Sequence, residues 1–126
     1  MEQGTQGFMT GFAFPEVLKA MNDAAQAGDL AAAHALYQRF LPLMVFEQQP
    51  GVAVRKELSN PNPNPNPNQV RKELYRLRGL IESNTVRHPA SAIAPALATA
   101  LQAELARALP GVDLKQPLPA ELFAGR

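Results

Sequence analysis

The chain contains no cysteine and no tryptophan, and aromatic residues make up only 6% of it. Without cysteine there are no disulfides, no thiolate metal sites and no cysteine nucleophile. With two Tyr and six Phe in 126 residues, the core is expected to be thin and built mainly of Leu, Val, Met and those phenylalanines. No apolar run is long enough to span a bilayer. Charge of one sign is missing too: 12 Lys and Arg face 11 Asp and Glu, for a formal net charge of +1. That balance gives no pull toward phosphate, which needs a clustered basic surface, so no nucleic-acid partner and no membrane partner is expected. Met1-Glu2-Gln3-Gly4 lacks a basic n-region and the other marks of a signal peptide, and the cytoplasm is the default location. The length suits one small domain.

What stands out is a repeated word. Val54-Arg55-Lys56-Glu57-Leu58 recurs letter for letter as Val70-Arg71-Lys72-Glu73-Leu74, with Ser59 to Gln69, an Asn-Pro alternation, between the two. An exact repeat flanking low complexity reads as an inserted or slipped segment, designed or accidental. The chain is therefore worth reading a second time with Ser59 to Leu74 removed. Each residue before a proline is driven out of the right-handed helical region, so Asn60 to Asn68 is expected to be non-helical. Polyproline II geometry would carry nine such residues about 28 Å.

The remainder reads as mainly α. Residues 1–14 form a strand-like or irregular lead-in, 15–58 a helical region, 59–69 the Asn-Pro spacer, 70–109 a second helical region and 110–126 an irregular tail. Pro15 suits the first position of a helix. Gly28 ends it, and Asp29 is a good N-cap for the next. That next helix carries Leu30, Ala33, Leu36, Tyr37, Phe40, Leu41, Met44 and Val45 on one broad face, and Pro42 predicts a kink or a frayed turn within it. After the spacer, Val70, Leu74, Leu77 and Ile81 fall at helical spacing and Gly79 marks a break. Leu97, Leu101, Leu105 and Leu109 define a last helix, stopped by Pro110-Gly111. Leu118, Leu122 and Phe123 of the tail are available to dock.

Gly7-Phe8-Met9-Thr10-Gly11-Phe12-Ala13-Phe14-Pro15-Glu16, Ala27-Gly28-Asp29 and Glu47-Gln48-Gln49-Pro50-Gly51, followed by the repeat and Tyr75-Arg76-Leu77-Arg78-Gly79, together resemble the C-terminal part of the dihydrodipicolinate synthase / N-acetylneuraminate lyase family. The likeness runs from about Gly4 to Leu109, leaving out Ser59 to Gln69. It implies a helical bundle similar to the last β/α unit and C-terminal helices of a TIM-barrel aldolase, not a complete barrel. The family's members form a Schiff base between a lysine on the sixth strand and a 2-keto acid such as pyruvate, with a proton-shuttling tyrosine on the fifth. Neither strand is recognisable here. On this resemblance Gly7, Met9 and Thr10 match a strand that lines the substrate pocket, where they would be bystanders without the rest of the barrel.

The residues offer few competing sites. A Schiff-base lysine needs a pKa depressed by burial or a cationic neighbour. Lys56 and Lys72 have adjacent arginines, but a solvated helix face is the simpler account for them, as for Lys19 and Lys115. His34 and His88 have no i, i+4 partner, which argues against a metal site. Arg71, Arg76 and Arg78 read either as an anion site or, with Glu73 nearby, as a salt-bridged amphipathic helix. Tyr37 and Tyr75 sit in apolar-periodic stretches and read as packing residues. No catalytic residue, metal or cofactor is assigned.

The function expected is that of a non-catalytic helical relative of a 2-keto-acid lyase, rearranged or engineered, which self-associates as a homo-oligomer. Val54, Leu58, Val70, Leu74 and Leu77 are the self-association candidates, because either repeat offers the same i, i+4 face to the same groove and a long spacer permits swapping between chains. Two alternatives stand beside it. The chain is a residual or complementing subunit of a pyruvate-dependent Schiff-base aldolase or dehydratase, meeting a small 2-keto acid only when another chain completes the barrel, or it is a scaffold displaying the Asn-Pro loop.

Overall fold

The computed structural model describes residues 10–48, 68–87 and 92–123. They form four α-helices: α1 (Pro15–Gln26), α2 (Leu30–Gln48), α3 (Asn68–Leu77) and α4 (Pro95–Ala108), followed by a short 3-10 turn at Ala120–Leu122. Among the described residues there is no strand. Thr10 to Phe14, the described part of the strand-like lead-in, is instead an irregular segment whose Phe12, Ala13 and Phe14 are buried.

Local chemistry sets the helix ends. Pro15 and Pro95 occupy the first turns of α1 and α4, where an absent N–H costs nothing. Asp29 Oδ1 accepts the Ala32 N–H at 2.9 Å and so caps α2. Gly79, at φ 70°, lets the Leu80 N–H turn back to the Tyr75 carbonyl at 2.9 Å, which closes the end of α3 in the geometry that favours glycine. The Arg39 Nε–H donates to the Ala108 carbonyl at 2.7 Å, capping the C-terminus of α4 with a cation.

The core lies where α1 and α4 pack against α2 and α3 leans on α4. Phe14, Val17, Phe40, Leu43, Val70, Leu74 and Leu101 are fully buried there, each apolar side chain contributing roughly 1.5–3 kcal/mol. The leucine row of α4 faces inward as its spacing requires. Leu118 docks from the tail, with Leu122 and Phe123 packed partly against it.

Two expectations need correction. The first concerns α2. Its buried row is Ala33, Leu36, Phe40, Leu43 and Glu47, while Leu30, Tyr37 and Val45 are exposed. The helix is apolar on more than one side, so periodicity alone gave the wrong centre to its inner face. It also runs on through Pro42 to Gln48 without fraying. Gln38 and Pro42 are both on the outer side or its margin, so the carbonyl that loses its donor at Pro42 faces away from the core. The second concerns the spacer. Asn68 and Gln69 belong to α3, because neither precedes a proline and the steric rule that blocks helix earlier in the run does not reach them.

Candidate functional site

The densest set of charged groups gathers around Ala13. Glu47 closes the inward row of α2 with its side chain fully buried, and its carboxylate has two partners. It accepts the Ala13 N–H at 3.1 Å and the Arg71 Nε–H at 2.7 Å. Arg71 comes from the second repeat, and a further N–H of its guanidinium reaches Asn68 Oδ1 at 3.4 Å. Its guanidinium lies against Gly11, where a Cβ would stand 2.3 Å from the arginine Cζ. Only a residue without a side chain leaves that place open.

The other polar group of Ala13 is held from the turn that follows α3. Arg78 donates to the Ala13 carbonyl at 2.5 Å, forms a forked ion pair with Glu16, and lies over the Phe14 ring with Cζ 4.6 Å from the centroid. Side chains of α2 and of the turn after α3 thus satisfy both main-chain groups of a buried residue that has no sheet partner, which is what a buried irregular backbone requires. Forked arginine–carboxylate geometry adds direction to that grip.

A second cluster braces α3 from outside. Glu73, nearly buried, accepts two hydrogen bonds from Arg76, at 2.9 and 2.7 Å, and one from Asn84 at 2.7 Å. Lys72 donates to the Thr85 carbonyl at 2.5 Å.

Environment separates the two glutamates. Burial pushes the Glu47 carboxyl above its ordinary value, opposed by its bonds from Arg71 and Ala13. The hydrogen bonds from Arg76 hold Glu73 below its ordinary value, against a smaller effect of burial and with help from Asn84. Both are consistent with desolvation and donor contacts acting in opposition. Each arginine of the Arg71, Arg76 and Arg78 group is paired with a carboxylate of the same chain, so the salt-bridged reading of that group describes it. Sequence reasoning missed Glu47 and Glu16 as the partners. The one signal, and for Glu47 alone, was a lone carboxylate ending the apolar α2, which needs a cation once buried.

The remaining candidates lie apart from this cluster. Thr10 is exposed, while Gly7 and Met9 lie outside the described residues. Val70 and Leu74 are fully buried in their own chain and Leu77 packs against the core, whereas Val54 and Leu58 lie outside the described residues. Lys19 is exposed and pairs with Asp23, Lys115 is exposed, and Lys56 and His88 fall outside the described residues. His34 and Tyr37 are on the surface of α2, and Tyr75 packs partly against the core. No group of three His, Cys, Asp or Glu among the described residues is placed to hold a metal. No described helix is long and apolar enough to cross a membrane. A groove of about 650 Å³ lies between α2 and Pro119–Phe123, but Asp29 and Arg39 on its wall already cap helix ends.

This mainly helical arrangement, with no barrel among the described residues, matches a fragment of a TIM-barrel aldolase. One similar solved structure is dihydrodipicolinate synthase from Rhodopseudomonas palustris, with a TM-score of 0.71 and 31% sequence identity over 85% of this chain. The chain spans 31% of that protein's length. No protein-family model matches the sequence, and no curated protein matches it.

Proposed function

We propose that the chain is a non-catalytic, cytoplasmic helical module of the 2-keto-acid lyase class, rearranged by the Asn-Pro spacer and the repeat, and that it self-associates. The observation that carries the reading is the use made of its charged groups. Around Ala13 they are spent on backbone and on one another, and the described lysines sit on the surface or on a loop carbonyl. None occupies the desolvated setting that an amine nucleophile requires. The 31% identity to a dihydrodipicolinate synthase supports the class.

Self-association is supported by a second apolar stripe on α2. Leu30, Tyr37 and Val45 are each about two-fifths exposed and share one side of the helix by their spacing. The only formally charged residues of α2 are Arg39 and Glu47, both engaged elsewhere, so two chains could appose this stripe without burying an unpaired charge.

One sample tests both parts. After incubation with pyruvate and borohydride, the intact mass should be unchanged, and light scattering across a concentration series should show a discrete oligomer. A stable pyruvate adduct removes the non-catalytic reading, and a monomer at every concentration removes self-association.

A further inference from the structure

We propose that the pocket formed by Glu47, Ala13 and the surrounding core is a docking seat for the word Val-Arg-Lys-Glu-Leu itself, and that the first repeat, Val54–Leu58 of the same chain, is its alternative occupant. The seat reads three side chains of the second repeat. Val70 and Leu74 are fully buried, and Arg71 meets the buried Glu47 carboxylate at 2.7 Å. Val54, Leu58 and Arg55 carry the same three groups at the same spacing.

Two opposing effects decide which repeat is seated. The tether favours the first. It needs only residues 49–51 to reach the seat from α2, with Val52-Ala53 standing where Asn68-Gln69 stand, whereas the second repeat closes residues 49–67. Shorter loops lose less entropy on closure, and so short a tether holds the first repeat at an effective concentration on the order of millimolar. That is why the occupant is assigned within the chain rather than to a neighbour.

The flanking residues on the C-terminal side favour the second repeat. Tyr75 and Leu77 pack against the core, and Arg78 binds the Ala13 carbonyl and Glu16. The corresponding positions after the first repeat are Ser59, Pro61 and Asn62. They supply no such packing and no cation, and Pro61 keeps Asn60 out of the helix. The second repeat is therefore seated, and the first takes its place when the second is disqualified. The duplication makes the seat redundant, so a lesion in either repeat alone is buffered by the other.

Hydrogen exchange read by mass spectrometry on Leu58→Asp, Leu74→Asp and the double variant tests this. Leu58→Asp should leave the slow exchange of residues 70–74 unchanged. Leu74→Asp should remain cooperatively folded, with exchange at residues 54–58 slowed at least tenfold relative to the parent chain. The double variant should show protection at neither repeat. If Leu74→Asp shows no new protection at 54–58, or unfolds like the double variant, the proposal is overturned. Protection at 54–58 that grows with protein concentration overturns the same-chain occupant in favour of a neighbour's repeat. The arginines provide a version without a buried acid: Arg55→Gln should be silent and Arg55→Gln/Arg71→Gln clearly less stable than Arg71→Gln. Equal stability of those last two overturns the redundancy.

Discussion

Replacing Glu47 by alanine is expected to lower the unfolding free energy by about 3–5 kcal/mol, the range for removing one partner of a buried ion pair. Three losses combine at this position. Arg71, with its side chain only one-fifth exposed, is left without its counter-charge. The buried Ala13 N–H loses its acceptor, and an unsatisfied buried donor costs about 1–3 kcal/mol. The inner row of α2 also gains a void beside Leu43. Against a total of about 5–15 kcal/mol for a domain, such a loss moves the urea midpoint far toward zero, and far-UV circular dichroism would follow it.

The isosteric Glu47→Gln variant separates these contributions. It keeps an acceptor for Ala13 and fills the space, so its cost should be smaller. It also removes a titration. Because burial raises the Glu47 carboxyl above 4.5, the folded chain holds that proton more tightly than the unfolded chain does. The contribution of Glu47 to stability therefore falls as pH rises from 4.5 through its folded value. Glu73, held below 4.5, acts the other way, with a contribution present above 4.5 that is lost as pH falls through its folded value.

Deleting Ser59 to Leu74 is the second change with a large expected effect, and its direction is opposite. The deletion joins Leu58 directly to Tyr75, so Val54-Arg55-Lys56-Glu57-Leu58-Tyr75 reproduces the sequence of Val70 to Tyr75. Every contact of α3 from its valine onward has the same donor, acceptor or apolar group to draw on. The connection from α2 shrinks from residues 49–67 to residues 49–51, and loop-closure entropy for that change favours the shortened chain by about 1.5 kcal/mol. Thermal and urea unfolding should show the same helicity and a higher midpoint. A shortened chain that is less helical or less stable would mean that the spacer contributes structure of its own.

Much of the helical framework was legible in the residues. Pro15, Gly28 and Asp29 bracket α1 and open α2, Gly79 closes α3, and the leucines from Leu97 to Leu109 fix the inner row of α4, because each of these signals acts within one or two turns. The inner face of α2 was not legible. Leu30, Tyr37, Leu41 and Val45 are as apolar as Leu36, Phe40 and Leu43, and only tertiary packing chooses between the two stripes. The ion pairs around Ala13 were hidden for a related reason. Arg71 with Glu47 and Arg78 with Glu16 join residues 24 and 62 positions apart, beyond the reach of helical spacing, whereas Glu73 with Arg76 lies within a single turn and was anticipated.

Hydrogen exchange of the unmodified chain tests the central claim most directly, that α3 docks through Glu47 onto the irregular segment at Ala13. Slow exchange is expected at two places far apart in sequence: the Ala13 amide, which donates to Glu47, and the helical amides of residues 72–77. Both should exchange faster together in Glu47→Ala. Fast exchange at Ala13 in the unmodified chain, or protection of 72–77 that is indifferent to loss of Glu47, would contradict it.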